Sequence, residues 1–249
     1  MDINVIRADL KTVAAARVLL AHQSVGGNIV QGVKDLAAQA DVPLHIELIN
    51  GTAIGQGPGL YHLYIGMNGD PAGKVKAFVQ LLTAPQHPDF DLAALKFCYV
   101  DFDTAVADRL RILDLYAAGV NQLHTARPEQ RLLHVTVPLM YGPPGWKSAV
   151  KRLLGRETEW DEGNALRDSY NEQLLSRFHG EPLFDLAAVE STGADGKRTT
   201  TTYQGRQIDA LTPAYTFDGG HLNEQGRRVA AAAFLHAAAR ALAGPKSAP

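Results

Sequence analysis

Residues 17–33 read RVLLAHQSVGGNIVQGV, and the fold follows from how that stretch divides. Val18 to Ala21 is an apolar run of strand length. It stops at His22-Gln23-Ser24, and Gly26-Gly27 let the chain turn. Beyond the turn, Ile29, Val30, Val33, Leu36 and Ala37 recur at helical spacing. A serine on a strand-to-helix turn stands at the carboxyl edge of a sheet, where α/β folds bind ligands. Glycines beside it let backbone N–H groups come close to a substrate. A hydroxyl placed there becomes a nucleophile once a base takes its proton.

A candidate base lies near the other end of the chain. Residues 218–226 read DGGHLNEQG and lead into the helical run RRVAAAAFLHAAARALAG. If this loop lies over the same sheet edge, His221 reaches Ser24 and Asp218 orients the imidazole. Those are the roles of a Ser-His-Asp arrangement in the chain order Ser…Asp…His. A helix-capping serine and a solvent-facing histidine are the plainer alternatives for the same residues. Asn223 can cap the last helix unaided, which leaves His221 free.

Between these two blocks, strands and helices alternate. Strands are expected at 17–21, 43–50, 94–100, 131–140 and 182–190. Helices are expected at about 4–16, 26–40, 72–83, 104–124, 146–154, 163–178 and in the last run. Asp70 and Pro71 fit the cap and first turn of the third of these helices. Five strands alternating with helices predict a parallel sheet with right-handed crossovers. The Gly-rich segment 50–71 reads as a long functional loop. The segment 191–217 breaks the rhythm, and RTTTTY and RQIDAL around Gln204-Gly205 predict a β-hairpin insertion.

An early strand-turn serine combined with a late D-x-x-H before the terminal helix resembles the SGNH/GDSL hydrolases. The resemblance implies an esterase or lipase on a flavodoxin-like three-layer α/β/α sandwich, with residues 1–249 forming a single domain. The first block departs from G-D-S and reads His22-Gln23-Ser24. The second block of the family supplies an oxyanion-hole glycine, and Gly69 in GMNGDP (66–71) is the match. The third block, G-x-N-D, supplies an oxyanion-hole asparagine. The equivalent stretch KFCYVDFD (96–103) has none and carries Asp101 and Asp103 instead. The expected oxyanion hole is therefore the Ser24 and Gly69 N–H groups, with the Asn68 amide as replacement donor. Asp101 is a candidate substrate contact and Asp103 a helix cap. Trp146, Tyr141 and Trp160 are candidates for lining an acyl or sugar pocket. His22, two residues before Ser24, is expected to pack or to give a supporting hydrogen bond.

Composition narrows the partners. A formal charge of −2 gives no reason to expect nucleic acid. The single cysteine, Cys98, excludes a disulfide framework and a multi-cysteine metal site, and it fits core packing. The histidines show no metal-ligand spacing, so neither a metal nor another cofactor is expected. No stretch has the length of a membrane span, and no signal-peptide pattern opens the chain. A cytoplasmic protein and the mature form of an exported one both fit. The favoured function is a serine esterase acting on a short-chain or carbohydrate O-acetyl ester. The alternatives are a catalytically impaired ligand-binding protein on the same fold, and an acyltransferase using the same residues.

Overall fold

The computed structural model describes residues 1–51, 54–85, 87, 89–102, 109–142 and 158–244. Asp103, Trp146 and the helix expected at 146–154 lie outside the described residues. The described strands are β1 (Arg17–His22), β2 (Ile46–Leu48), β3 (Gly59–Tyr64), β4 (Leu92–Leu95), β5 (Leu132–Val135) and β6 (Leu183–Phe184). They form one parallel sheet in the order β2-β3-β1-β4-β5-β6. The helices are α1 (Ile3–Ala14), α2 (Val25–Ala40), α3 (Pro71–Thr83), α4 (Arg109–Ala126), α5 (Glu159–Arg177), α6 (Leu186–Ser191) and α7 (Glu224–Ala243). A hairpin of β7 (Thr200–Tyr203) and β8 (Arg206–Asp209) turns at Gln204-Gly205, both at positive φ. This is the expected α/β class with the expected insertion. The sheet has six strands where five were expected.

Burial on both faces explains why β1 is almost wholly apolar. Val18 and Leu20 point to one core, with α1, α2 and α7. Leu19 and Ala21 point to the other, with α3 and α4. The alternation continues across the sheet, with Leu60, Ala94 and Leu133 on the first face and Tyr61, Leu95 and Leu132 on the second. The three layers follow directly from two apolar faces on one sheet. Gly32 sets the distance between α2 and α7. A Cβ there would press on the Arg227 carbonyl and lie 2.7 Å from the Ala231 Cβ. Asp70 caps α3 by accepting from the Gly73 N–H, with Pro71 in the first turn, as the sequence predicts.

Several segments differ from expectation, among them β4 and β5, which end at Leu95 and Val135. The Gly-rich stretch 50–71 contains β3, the strand between β2 and β1. Residues after 184 form α6 rather than continuing a strand, because Asp185 caps it through the Ala188 N–H. The order of the sheet has a functional consequence. From β1 the chain is flanked by β3 on one side and β4 on the other. The helix after β1, α2, packs on the first face and the helix after its neighbour β4, α4, on the second, so the carboxyl ends of β1 and β4 open at a switch point of the topology. Ser24 stands two residues beyond the end of β1.

Candidate active site

Ser24 links β1 to α2 with φ 47° and ψ −108°. This is the conformation of the first central residue in a type II′ turn, where glycine is favoured. A non-glycine held there costs on the order of 1–3 kcal/mol. Ser24 occupies the cap position of α2, yet its side chain makes no capping bond. The hydroxyl instead meets His221 Nε2 at 2.7 Å, across 197 residues. Gly26 is needed beside it, because a Cβ there would collide with the His22 ring.

His221 is held from several sides. Its Nδ1 lies 2.6 Å from Asp218 Oδ2, while Asp218 Oδ1 accepts the Gly220 and His221 N–H groups at 2.9 and 2.8 Å. Burial pushes the Asp218 carboxyl up, but the hydrogen bonds from His221 and from the backbone outweigh it and hold the group at about 2. Asp218 therefore stays ionised and fixes the imidazole with Nδ1 as donor, leaving Nε2 to accept from Ser24. Thr216 Oγ1 donates to the His221 carbonyl at 2.8 Å and accepts the Gly219 N–H at 2.9 Å. Asn223 caps α7 through the Gly226 N–H, so the histidine is not used as a cap.

Asn28 joins the two halves of the site. It lies one helical turn beyond Ser24 on α2, and its Oδ1 accepts the Leu222 N–H at 3.1 Å. Asn28→Ala removes that tie but none of the reacting groups. For ester hydrolysis through the Ser24–His221 pair, the expected result is a fall of about fivefold in kcat. That is the scale of losing one positioning hydrogen bond of roughly 1 kcal/mol. Steady-state kinetics would check it, and unchanged kcat would mean that Asn28 does not position His221.

The residues expected in the oxyanion hole and substrate pocket are placed differently. Asp101 is fully buried. It accepts Lys74 Nζ at 2.6 Å, the Cys98 N–H at 2.8 Å and the Gly69 N–H at 2.8 Å. Its carboxylate is thus enclosed by donors, which rules it out as a substrate contact. The same bond turns the Gly69 N–H inward and removes it from an oxyanion hole. Asn68 is exposed, and its Oδ1 accepts from Lys74 Nζ at 3.2 Å, leaving the NH2 end as its donor. The Ser24 N–H takes no backbone carbonyl among the described residues. Tyr141 anchors the Asp218–His221 loop through its backbone, its N–H donating to the Gly219 carbonyl at 2.7 Å. Trp160 packs against Gly142, so its ring serves as a loop anchor.

His22 is fully buried, and its Nε2 lies 3.1 Å from His62 Nδ1. This is the supporting hydrogen bond expected of it. Burial first, and then the charge of Lys96, hold His22 down to about 3 from an ordinary 6.5. At neutral pH it is therefore uncharged in both folded and unfolded chains. Below 6.5 the unfolded chain takes up a proton that the folded chain refuses. Stability should fall as pH drops from 6.5 toward 3, by on the order of 4 kcal/mol in all. Urea midpoints measured against pH for the native chain and His22→Asn would test this. The variant should show the shallower acid limb, and identical limbs would contradict it.

Tyr99 was not singled out by the sequence, although it lies in KFCYVDFD. It sits in a 3-10 turn (Tyr99–Phe102) with its ring edge-on to His221 at 6.1 Å. Phe217, 73% exposed, stacks flat on His221 at 6.4 Å. Tyr64, the last residue of β3 and the register partner of His22, is also exposed, as is Met67 just beyond β3.

No family model and no curated protein matches the sequence. Several solved structures are similar to it. One is a GDSL-like lipase from Bacteroides thetaiotaomicron, with 13% identity over 93% of this chain and 95% of that one, at a TM-score of 0.49. Another is a carbohydrate esterase of family 3 from Talaromyces cellulolyticus, with 10% identity over 88% and 92% of the two chains, at a TM-score of 0.47. Within the chain itself, the Ser24–His221–Asp218 relay fits nucleophilic attack on an acyl carbon.

Proposed function

We propose that the protein is a serine esterase. The observation that carries this reading is the unbroken relay from Ser24 Oγ to His221 Nε2 at 2.7 Å and from His221 Nδ1 to Asp218 at 2.6 Å. Ser24 Oγ attacks the ester carbonyl while His221 Nε2 takes its proton. Asp218 stabilises the imidazolium that forms. His221 then returns the proton to the leaving alcohol, and an acyl-enzyme remains on Ser24. Water, deprotonated by His221, releases the acid and restores the serine. Side-chain exposures of 38% for His221 and 41% for Asp218 support water as the acceptor.

A short acyl group is the preferred substrate. The hydroxyls of the Thr-rich hairpin, which could otherwise meet a carbohydrate, are already engaged. Thr201 donates to Asp161 at 2.6 Å, and Thr200 and Thr202 both bond Gln207. The exposed faces of Phe217 and Tyr64 near the relay remain available to a sugar ring or other apolar alcohol. Hydrolysis of p-nitrophenyl acetate tests the reading. A burst of p-nitrophenol approaching one equivalent per chain, followed by slower turnover, is expected where deacylation limits. An absence of both burst and turnover would refute it.

A further inference from the structure

Few oxyanion donors remain at the site as described: the Ser24 N–H and the exposed NH2 end of Asn68. The Gly69 N–H is committed to Asp101, and the stretch after β4 has no asparagine. The Gly26 and Gly27 N–H groups are also spent, on the Gln23 and Ser24 carbonyls. A tetrahedral oxyanion held by the Ser24 N–H alone would be poorly stabilised, since each such donor is worth about a hundred- to a thousandfold in rate.

The side chain of Tyr99 fills this deficit. Only 9% of the residue is exposed. Its backbone carbonyl accepts from Arg167 Nε at 3.0 Å, and the Arg167 guanidinium lies 5.9 Å over its ring. Gly220 of the catalytic loop packs directly on the phenol, and a Cβ there would lie 3.1 Å from both the hydroxyl oxygen and the ring carbon bearing it. The phenol is therefore wedged between α5 and the Asp218–His221 loop, with its ring edge-on at 6.1 Å to the His221 ring whose Nε2 meets Ser24 Oγ.

We propose that the Tyr99 hydroxyl is a catalytic oxyanion donor, standing in for the Gly69 amide that Asp101 holds. The proposal rests on the esterase reading. When Ser24 Oγ bonds to the carbonyl carbon, the carbonyl π pair moves onto its oxygen, one carbon away from Oγ. A phenol hydroxyl seated against the Gly220 backbone, beside the His221 ring that meets Oγ, is placed to donate to that oxygen. The serine proton goes to His221, and Tyr99 keeps its own. Burial raises the phenol above its ordinary range, so it remains a protonated donor wherever His221 can act as base.

Tyr99→Phe keeps the ring and removes the donor. With p-nitrophenyl acetate, kcat should fall about a hundred- to a thousandfold while KM and the thermal midpoint stay close to native. Affinity for a boronic acid, which forms a tetrahedral adduct on serine, should fall as well, whereas affinity for acetate should not. Native kcat in Tyr99→Phe would overturn the donor role and leave the esterase reading intact. A kcat loss matched by a large drop in melting temperature, with boronate affinity unchanged, would also overturn it by assigning Tyr99 a packing role. If the native chain neither turns over ester nor is labelled at Ser24 by a fluorophosphonate, the esterase reading fails and this role fails with it.

Discussion

Ser24→Gly should abolish esterase turnover and make the protein more stable. The two effects have one origin. The backbone of Ser24 lies at φ 47° and ψ −108°, a region natural to glycine and strained for serine. The hydroxyl makes no capping bond that would offset the strain, and it bonds His221 Nε2. Removing it takes away the nucleophile, and kcat should fall about 10⁵- to 10⁶-fold. Relief of backbone strain should raise stability by about 1 kcal/mol, after allowing for the added freedom of glycine in the unfolded chain. Ser24→Ala should lose the same activity without that gain, because alanine keeps the strain. Urea denaturation of the three proteins reads the difference. A Ser24→Gly variant less stable than Ser24→Ala would show that the turn is not strained.

The largest effect on stability is expected at Lys74 and Asp101. Both side chains are fully buried, and they meet at 2.6 Å. Lys74→Met should lower stability by about 3–5 kcal/mol, because it leaves a carboxylate enclosed without a counter-charge. For a chain of this size that is on the order of 10 °C in melting temperature. Changing both residues, Lys74→Met with Asp101→Leu, should recover much of the loss, since an apolar pair carries no desolvation penalty. The double change also frees the Gly69 N–H and the Asn68 loop from their anchors. Activity should therefore respond differently from stability. Calorimetry of the single and double variants gives the coupling, and additive losses would contradict a buried pair acting as a unit.

These two sites mark what sequence could and could not show. The strand, the turn at Ser24 and the D-x-x-H loop are legible because each depends on neighbours within a few residues. The same holds for the Asp70-Pro71 start of α3 and the Gln204-Gly205 hairpin. β3 was hidden because its frame is glycine-rich and its strand character comes from pairing with β1, forty-two residues away at Arg17 and Gly59. β4 was expected at 94–100 but ends at Leu95. The Asp101 carboxylate then takes the Cys98 N–H, and the chain turns into the 3-10 segment. The Asp101 bonds to Lys74 and Gly69 are tertiary, and no spacing rule announces them. KFCYVDFD holds no amide side chain, and nothing in the spacing of Tyr99 marks its phenol, whose place beside His221 is tertiary.

Mass spectrometry after treatment with a fluorophosphonate tests the central claim most directly. The account predicts one covalent phosphonyl adduct per chain, located on the peptide carrying Ser24, and sharply slowed labelling in His221→Ala. An unmodified native chain, or an adduct elsewhere with Ser24 untouched, would contradict it.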